Sequence, residues 1–264
     1  MSIGAKDQAG QLGQLLVLAS SNLPIGSYTY SQGVEAAIES GVITDEDSTL
    51  TFMQDYLALA VFSYELPILG LIMQALAHEH ESLAVCLTQD YHASLESKEF
   101  VLESQQLAQA MVSWLNEVLR LDVPKDVSEE GFLPLFAHIA QHWQLSLAQT
   151  MTTYGFAQLE NMVLAAVKTV PLGQMAGQRI LWQLQSELSQ QVDALSETIQ
   201  QTFENIVTSK DTLPAPSTST VNTGQYNEQL CQNLYEALNI SNNLPNLAIL
   251  SSMHEEQYSR LFRS

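Results

Sequence analysis

The sequence predicts an all-α protein, a single-domain helical bundle around one buried central helix. Apolar side chains recur three and four residues apart through most of the chain. No stretch shows the sustained period-two alternation of a β-strand. The hydrophobic content of 46% is enough for a substantial core. We expect an all-α core over 1–207, a mobile insertion over 208–226, and a short helix with a C-terminal docking tail over 227–264.

The predicted central helix covers 155–170 and is apolar on nearly every face. Such a helix belongs in the middle of a bundle. Pro171 should end it, because proline lacks a backbone donor and pushes the preceding residue out of the helical region. Gly173 and Gly177 follow, and a new periodic segment begins near Ile180. We therefore expect a helix, an elbow and a second helix.

Other helices are predicted from apolar spacing along the rest of the chain. Thr44 followed by Asp47 predicts a capping box at the start of one helix. Pro67 suits the first turn of a helix, which predicts a separate helix from Leu66 to about His80. In the first half of the chain, the predicted apolar faces are Leu12, Leu15, Leu16 and Ala19; Tyr30, Val34 and Ile38; Leu50, Met53, Leu57, Val61 and Tyr64; and Leu69, Ile72, Met73 and Leu76. A long helix over 95–121 has its apolar face on Phe100, Leu107, Met111, Trp114, Leu115 and Val118, and a short helix is predicted over 133–142. The last two apolar faces are Leu181, Leu184, Leu188, Val192, Leu195, Ile199 and Phe203, and then Leu230, Leu234, Tyr235 and Leu238.

Charge and cysteine content restrict the function classes. Acidic residues number 29 against nine Lys and Arg, a formal charge of −20. This disfavours nucleic acid and anionic membranes as partners, since both need basic side chains. Basic protein surfaces or cations fit better, and solubility alone is the other explanation. Cys86 and Cys231 lie too far apart in sequence for a Cys-x-x-Cys motif. With no signal peptide and no apolar run of roughly twenty residues, we expect a cytoplasmic protein.

The sequence lacks the common catalytic signatures. It contains no phosphate-binding Gly-Lys-Ser/Thr loop, no Gly-x-Ser-x-Gly and no His-Glu-x-x-His. We therefore predict that the chain is not an enzyme. The alternative is an all-helical enzyme in which Asp90 and His92 serve as acid and base.

Histidine-containing segments are the candidates for metal binding. The run 78–81, His-Glu-His-Glu, could supply ligands only if a helix ends there, because neighbouring helical residues point apart. His138 and His142 lie four residues apart and could hold nickel or zinc, but two ligands are too few for a structural site. A solvated helix terminus and a polar helix face are favoured, and Cys86 fits a small buried hydrophobe. We predict no metal site and no tightly bound cofactor.

Three single charges flank the apolar segments. Lys168 lies on the otherwise apolar central helix, where it must reach solvent or meet a carboxylate. Compensation of the helix dipole and contact with a partner are equally favoured. Glu35 lies on a mainly apolar helix, and Arg179 follows the elbow. If any two of these three charged side chains were in contact, they would form a paired site.

The last seven residues combine aromatic, apolar and cationic side chains, as interface hot spots do. They are Tyr258, Ser259, Arg260, Leu261, Phe262, Arg263 and Ser264. A frayed terminus is the alternative, but a solvated end has no need of Leu and Phe between arginines. We favour a docking peptide, either within a specific assembly or in a generic adaptor.

Three motifs, VPLGQMAGQRIL, SSNLPIGSYTYSQGVEAAIESG and HEEQYSRLFRS, resemble those of the F-type urease accessory proteins (UreF). The resemblance implies an all-α, usually homodimeric scaffold with no catalysis of its own. Such a scaffold binds the D-type accessory protein, called H in some lineages, and recruits the G-type GTPase. The complex then delivers nickel to apo-urease with GTP hydrolysis by the GTPase.

The resemblance also implies roles for individual residues. The tail from Tyr258 to Ser264 would order against the D/H-type partner. Glu35 and Lys168 match charged positions that engage the GTPase, and Tyr30 falls in the YSQG motif. We predict that these three residues and Arg179, beside the elbow, face the GTPase. Nickel would be handled by the complex rather than held tightly by this chain.

Overall fold

The computed structural model describes residues 5–123, 129, 131–170, 172–208, 223–242 and 262. The helices are α1 (Ala5–Ala19), α2 (Val34–Glu39), α3 (Glu46–Tyr56), α4 (Leu66–Ala77), α5 (Glu81–Ala93), α6 (Lys98–Trp114), α7 (Phe132–His142), α8 (Leu147–Thr169), α9 (Gln174–Phe203) and α10 (Thr223–Leu238). π-Helical segments extend three of them, at Leu57–Glu65, Leu115–Leu119 and Glu204–Thr208. Within these described ranges no strand occurs, which confirms the all-α prediction.

Helix α8 is the predicted central helix, and it lies in the middle of the bundle. It packs most extensively on α9 and also contacts α1, α2, α3 and α4. It begins earlier than predicted, where Ser146 Oγ accepts a hydrogen bond from the Gln149 backbone N–H at 3.3 Å. The predicted apolar face is buried, at Gly155, Leu159, Met162, Ala166 and Val170.

The elbow between α8 and α9 lies where the sequence predicts it. Helix α8 ends at Thr169, and Gly173 adopts a φ of 72° just before α9. A Cβ atom at Gly177 would overlap Val167 Cγ2, so the two helices approach closely through this glycine. Pro171 lies outside the described residues.

The predicted helix from Leu66 with Pro67 in its first turn is confirmed as α4 (Leu66–Ala77), but no break separates it from the helical segment before it. Glu46–Ala77 forms one continuous helical run, because Glu65 (φ −63°, ψ −49°) and Leu66 (φ −66°, ψ −42°) are both helical. Proline lacks a backbone donor, and the π segment gives way to α-helix at that point. This run is long and apolar enough to cross a membrane, contrary to expectation, but 67% of its most apolar window is buried in the fold.

Three smaller predictions also need correction. Asp45, not Thr44, caps α3: its carboxylate accepts from the Ser48 backbone N–H at 2.9 Å, and Ser48 Oγ accepts from the Asp45 N–H. On α1 the buried leucines are Leu15 and Leu18, whereas the predicted Leu12 and Leu16 are 57% and 63% exposed. Val118 is 62% exposed because α6 widens into a π segment there.

Helix α10 confirms the predicted short amphipathic helix and packs on α5 and α9. Its buried residues are Asn227, Leu230, Cys231 and Leu234. It begins at Thr223, within the last residues of the predicted insertion. Between 208 and 226 the described residues are Thr208 and 223–226, so most of the insertion lies outside them.

Candidate functional site

The loop between α1 and α2 carries the YSQG motif and is anchored inside the fold. Gly26 (φ 76°) and Gly33 (φ 83°) adopt left-handed conformations that turn the chain on either side of it. Tyr30 is buried, and its hydroxyl donates to Gln106 Oε1 at 2.6 Å. Tyr30 therefore holds the loop on α6, and its assignment to a GTPase-facing surface stays a prediction.

Gln32 of the same motif joins this loop to three helices. Its Nε2 donates to Glu103 Oε1 on α6 at 3.0 Å and to Gln158 Oε1 on α8 at 3.4 Å. Its Oε1 accepts from the Tyr56 hydroxyl on α3 at 3.3 Å. These side chains line a cavity of about 100 Å³. The motif is thus part of a polar network at the centre of the bundle.

Glu65 lines this cavity, and its carboxyl group has a strongly perturbed pKa. Burial raises the pKa of Glu65 to about 7, although hydrogen bonding from Tyr154, Tyr56 and Gln158 partly offsets the effect. Its Oε2 is buried and has no hydrogen-bond partner within the described ranges. The sequence analysis missed Glu65, yet it is a single acid between the apolar runs LALAVFSY and LPILGLIM. The argument applied to Lys168 would have found it.

In a second cluster, two of the three predicted single charges, Glu35 and Lys168, lie next to Phe262 of the C-terminal tail. The Phe262 backbone N–H donates to Glu35 Oε2 at 3.1 Å. Lys168 Nζ lies 5.7 Å from the centre of the Phe262 ring and 5.4 Å from that of Tyr28. Both distances allow cation–π attraction. We call these four residues, Tyr28, Glu35, Lys168 and Phe262, the tail-anchor surface.

Burial within the tail-anchor surface is uneven. Glu35 and Phe262 are 4% and 7% exposed, whereas Lys168 is exposed near the C-terminal end of α8. Lys168 therefore keeps contact with water while its ammonium group lies near both aromatic rings. Tyr28 is a member that the sequence analysis missed, since nothing in its local pattern separates it from other loop tyrosines.

Arg179, the third single charge, pairs with Glu46 and not with Glu35. Its Nε and Nη2 donate to Glu46 Oε1 and Oε2 at 2.8 and 2.6 Å. This bidentate pair joins α9 to the start of α3, and the Arg179 guanidinium lowers the pKa of Glu46. The structure thus brings Glu35 and Lys168 together at Phe262 and gives Arg179 a different partner.

Of the predicted docking tail, the structure describes Phe262. Tyr258, Arg260, Leu261, Arg263 and Ser264 lie outside the described residues. Their assignment to a partner-binding tail stays a prediction.

The histidine segments occupy the positions that the sequence favoured. His78 and His80 lie between α4 and α5, where both are exposed and contact the Phe203 ring, with ring centres 5.2 and 6.3 Å away. His138 and His142 lie along α7 and line a surface groove together with Asp122.

Asp90 and His92 do not share a common face. They lie two residues apart on α5, so their side chains point in different directions. The Asp90 carboxylate instead accepts a hydrogen bond from the Tyr235 hydroxyl on α10 at 2.9 Å. The geometry gives no support to the acid–base alternative.

Known proteins similar to this chain are urease accessory proteins. The family model UreF matches residues 43–185. The urease accessory protein UreF of Nitrosococcus oceani is 34% identical over 255 residues, covering 95% of this chain and 97% of that protein. UreF of Dechloromonas aromatica is 34% identical over 261 residues, covering 96% and 98%. The bifunctional urease accessory protein UreEF of Bordetella bronchiseptica is 38% identical over 187 residues, covering 68% of this chain and 43% of that protein. This chain belongs to the UreF family of urease accessory proteins.

Proposed function

We propose that this chain is a scaffold, without catalysis of its own, that assembles the machinery for nickel insertion into apo-urease. Its C-terminal tail binds the D/H-type accessory protein, and the surface near Glu35 and Lys168 recruits the G-type GTPase. GTP hydrolysis by that partner drives delivery, and nickel is handled by the complex. The scaffold acts in the cytoplasm as a homodimer.

The observation that carries this proposal is the contact of Phe262 with Glu35 and Lys168. An apolar tail residue is buried between a carboxylate and an ammonium group that belong to two different helices, α2 and α8. Phe262 thereby gives the tail one defined contact with the core. Aromatic and cationic residues gathered in this way are typical of interface anchors.

The overall charge also fits a protein-binding role. With a formal charge of −20, the chain attracts basic protein surfaces and repels nucleic acid. The bifunctional UreEF relative joins a UreF part to a second accessory protein in one chain. Such a fusion supports a role for this chain beside other accessory proteins.

Co-purification with the D/H-type accessory protein and the G-type GTPase tests the proposal. The full chain should form the complex, and a version lacking the residues from Tyr258 onward should stay helical by circular dichroism but lose the D/H-type partner. Lys168→Gln should weaken recovery of the GTPase, whereas the matched control Lys98→Gln, at an exposed lysine on α6, should not. Equal recovery of both partners by the truncated chain would overturn the docking-tail part of the proposal.

A further inference from the structure

Two cysteines that are 145 residues apart in sequence lie together where α10 packs on α5. Cys86 and Asp90 are four residues apart on α5, so they share one face of that helix. Cys231 reaches them from α10. The two Sγ atoms and a carboxylate oxygen of Asp90 all lie within 4.8 Å of one another, and both thiols are free.

These three groups match the ligand chemistry of a thiolate-rich metal site. Zinc bound by sulfur and oxygen at about 2.0–2.3 Å holds neighbouring ligands roughly 3.3–3.8 Å apart. Cys231 is buried, Cys86 is half-buried and Asp90 is exposed, so the cluster has a closed side and an open side. A fourth position facing water is available on the open side.

The surroundings of the cluster favour a cation. Glu228 and Asp90 both place negative charge near Cys86. The Tyr235 hydroxyl donates to Asp90 Oδ2 at 2.9 Å, which fixes the carboxylate and leaves Oδ1 for a ligand role. Hydrogen bonds of this kind commonly orient metal-binding carboxylates.

We propose that Cys86, Asp90 and Cys231 bind a divalent transition-metal ion of the zinc class, with water completing the coordination. Two thiolates select zinc or cobalt over the hard cations magnesium and calcium. The site is separate from the tail-anchor surface, and the proposal does not rest on the proposed function. It replaces the expectation that no metal is bound, which rested on the small number of histidine ligands, on Cys86 as a small buried hydrophobe and on the distance between the two cysteines in sequence.

A metal at this position would tie the segment that precedes the tail to the core. Helix α10 follows the segment 209–222 and contacts the bundle through α5, α9 and the π segment after α9. A bond from Cys231 to a metal held by α5 adds a covalent-strength link at this contact. Zinc should therefore protect α10 more than it protects α8.

The test uses the reduced full chain after treatment with a chelator, titrated with Co²⁺ and then with Zn²⁺. We expect one Co²⁺ per chain, with the near-ultraviolet absorption band of cobalt bound to thiolate, and displacement of that ion by Zn²⁺. Cys86→Ser and Cys231→Ser should each abolish the band, and Asp90→Asn should weaken binding at least tenfold. The control Asp193→Asn, at an exposed carboxylate on α9, should bind as the unaltered chain does.

A second measurement needs no variant and so does not depend on how the substitutions fold. One equivalent of Zn²⁺ should slow alkylation of both thiols in the unaltered chain at least tenfold. Absence of the thiolate band, or alkylation that Zn²⁺ does not slow, would overturn the proposal. Isolation of the chain with a Cys86–Cys231 disulfide and no metal would overturn it too. Ni²⁺ that displaced Zn²⁺ at equal concentration would overturn the assignment to zinc.

Discussion

Replacement of Glu65 by glutamine should stabilise the protein at neutral and alkaline pH. The carboxyl group lies against the central cavity with Oε2 buried and unpartnered within the described ranges, and its pKa is raised from 4.5 to about 7. The folded chain therefore holds a proton that the unfolded chain releases between these two values. Folding stability should fall as pH rises through this window and level off above pH 7.

The size of the effect follows from the two pKa values. The difference between 4.5 and about 7 corresponds to about 3 kcal/mol, as an upper figure. Glutamine has the shape of the protonated acid but cannot ionise. Glu65→Gln should therefore exceed the unfolding free energy of the unaltered chain by less than about 1 kcal/mol at pH 5 and by about 2–3 kcal/mol at pH 8.

Urea unfolding followed by circular dichroism at pH 5, 6, 7 and 8 measures this difference. Other carboxyl groups titrate in both chains, so their contributions cancel when the two curves are subtracted. The control Glu197→Gln removes an exposed carboxyl group from α9 and should show no such rise. A difference that stays flat from pH 5 to pH 8, or that falls, would refute the buried ionisation.

Three further outcomes follow from packing and pairing. Gly177→Ala should destabilise the fold by about 1–3 kcal/mol, because the added methyl overlaps Val167, and the double variant with Val167→Ala should recover most of that loss in urea unfolding. Leu188→Ala should cost about 2–5 kcal/mol, because Leu188 is fully buried, while Leu16→Ala on the exposed face of α1 should change the melting temperature little. Arg179→Met should reduce stability only slightly, and the reduction should shrink further in high salt, because Arg179 is 61% exposed where it pairs with Glu46.

Local patterns predicted the elements whose determinants are local. The buried face of α8 and the stop before Pro171 follow from apolar spacing and proline chemistry within one segment. The start of α3 was misplaced by one residue because two overlapping capping boxes, at Thr44 and at Asp45, fit the same motif. The sequence predicted two helices where Glu46–Ala77 is one continuous run, because Pro67 is typical of a helix start. Proline is also tolerated where a π segment returns to α-helix, and local sequence does not distinguish the two cases.

Contacts between helices that are distant in sequence could not be predicted at the candidate site. Glu35 and Lys168 stood out as single charges on apolar helices, and the structure brings both to Phe262. Nothing local could show that Arg179 pairs with Glu46 instead. The cluster of Cys86 and Cys231 was missed for the same reason, since only the packing of α10 on α5 brings the thiols together.

The position of Phe262 links the two binding roles proposed for this chain. Its backbone N–H donates to Glu35 Oε2 and its ring lies beside Lys168, so Phe262 and the two charges assigned to the GTPase form one continuous surface. A partner that draws the tail away must also uncover Glu35, and a carboxylate uncovered in this way can accept a new donor. The two binding events should therefore be coupled rather than independent. Phe262→Ala should weaken the D/H-type partner and change the affinity for the GTPase in the same titration, and a change confined to one partner would separate the two surfaces.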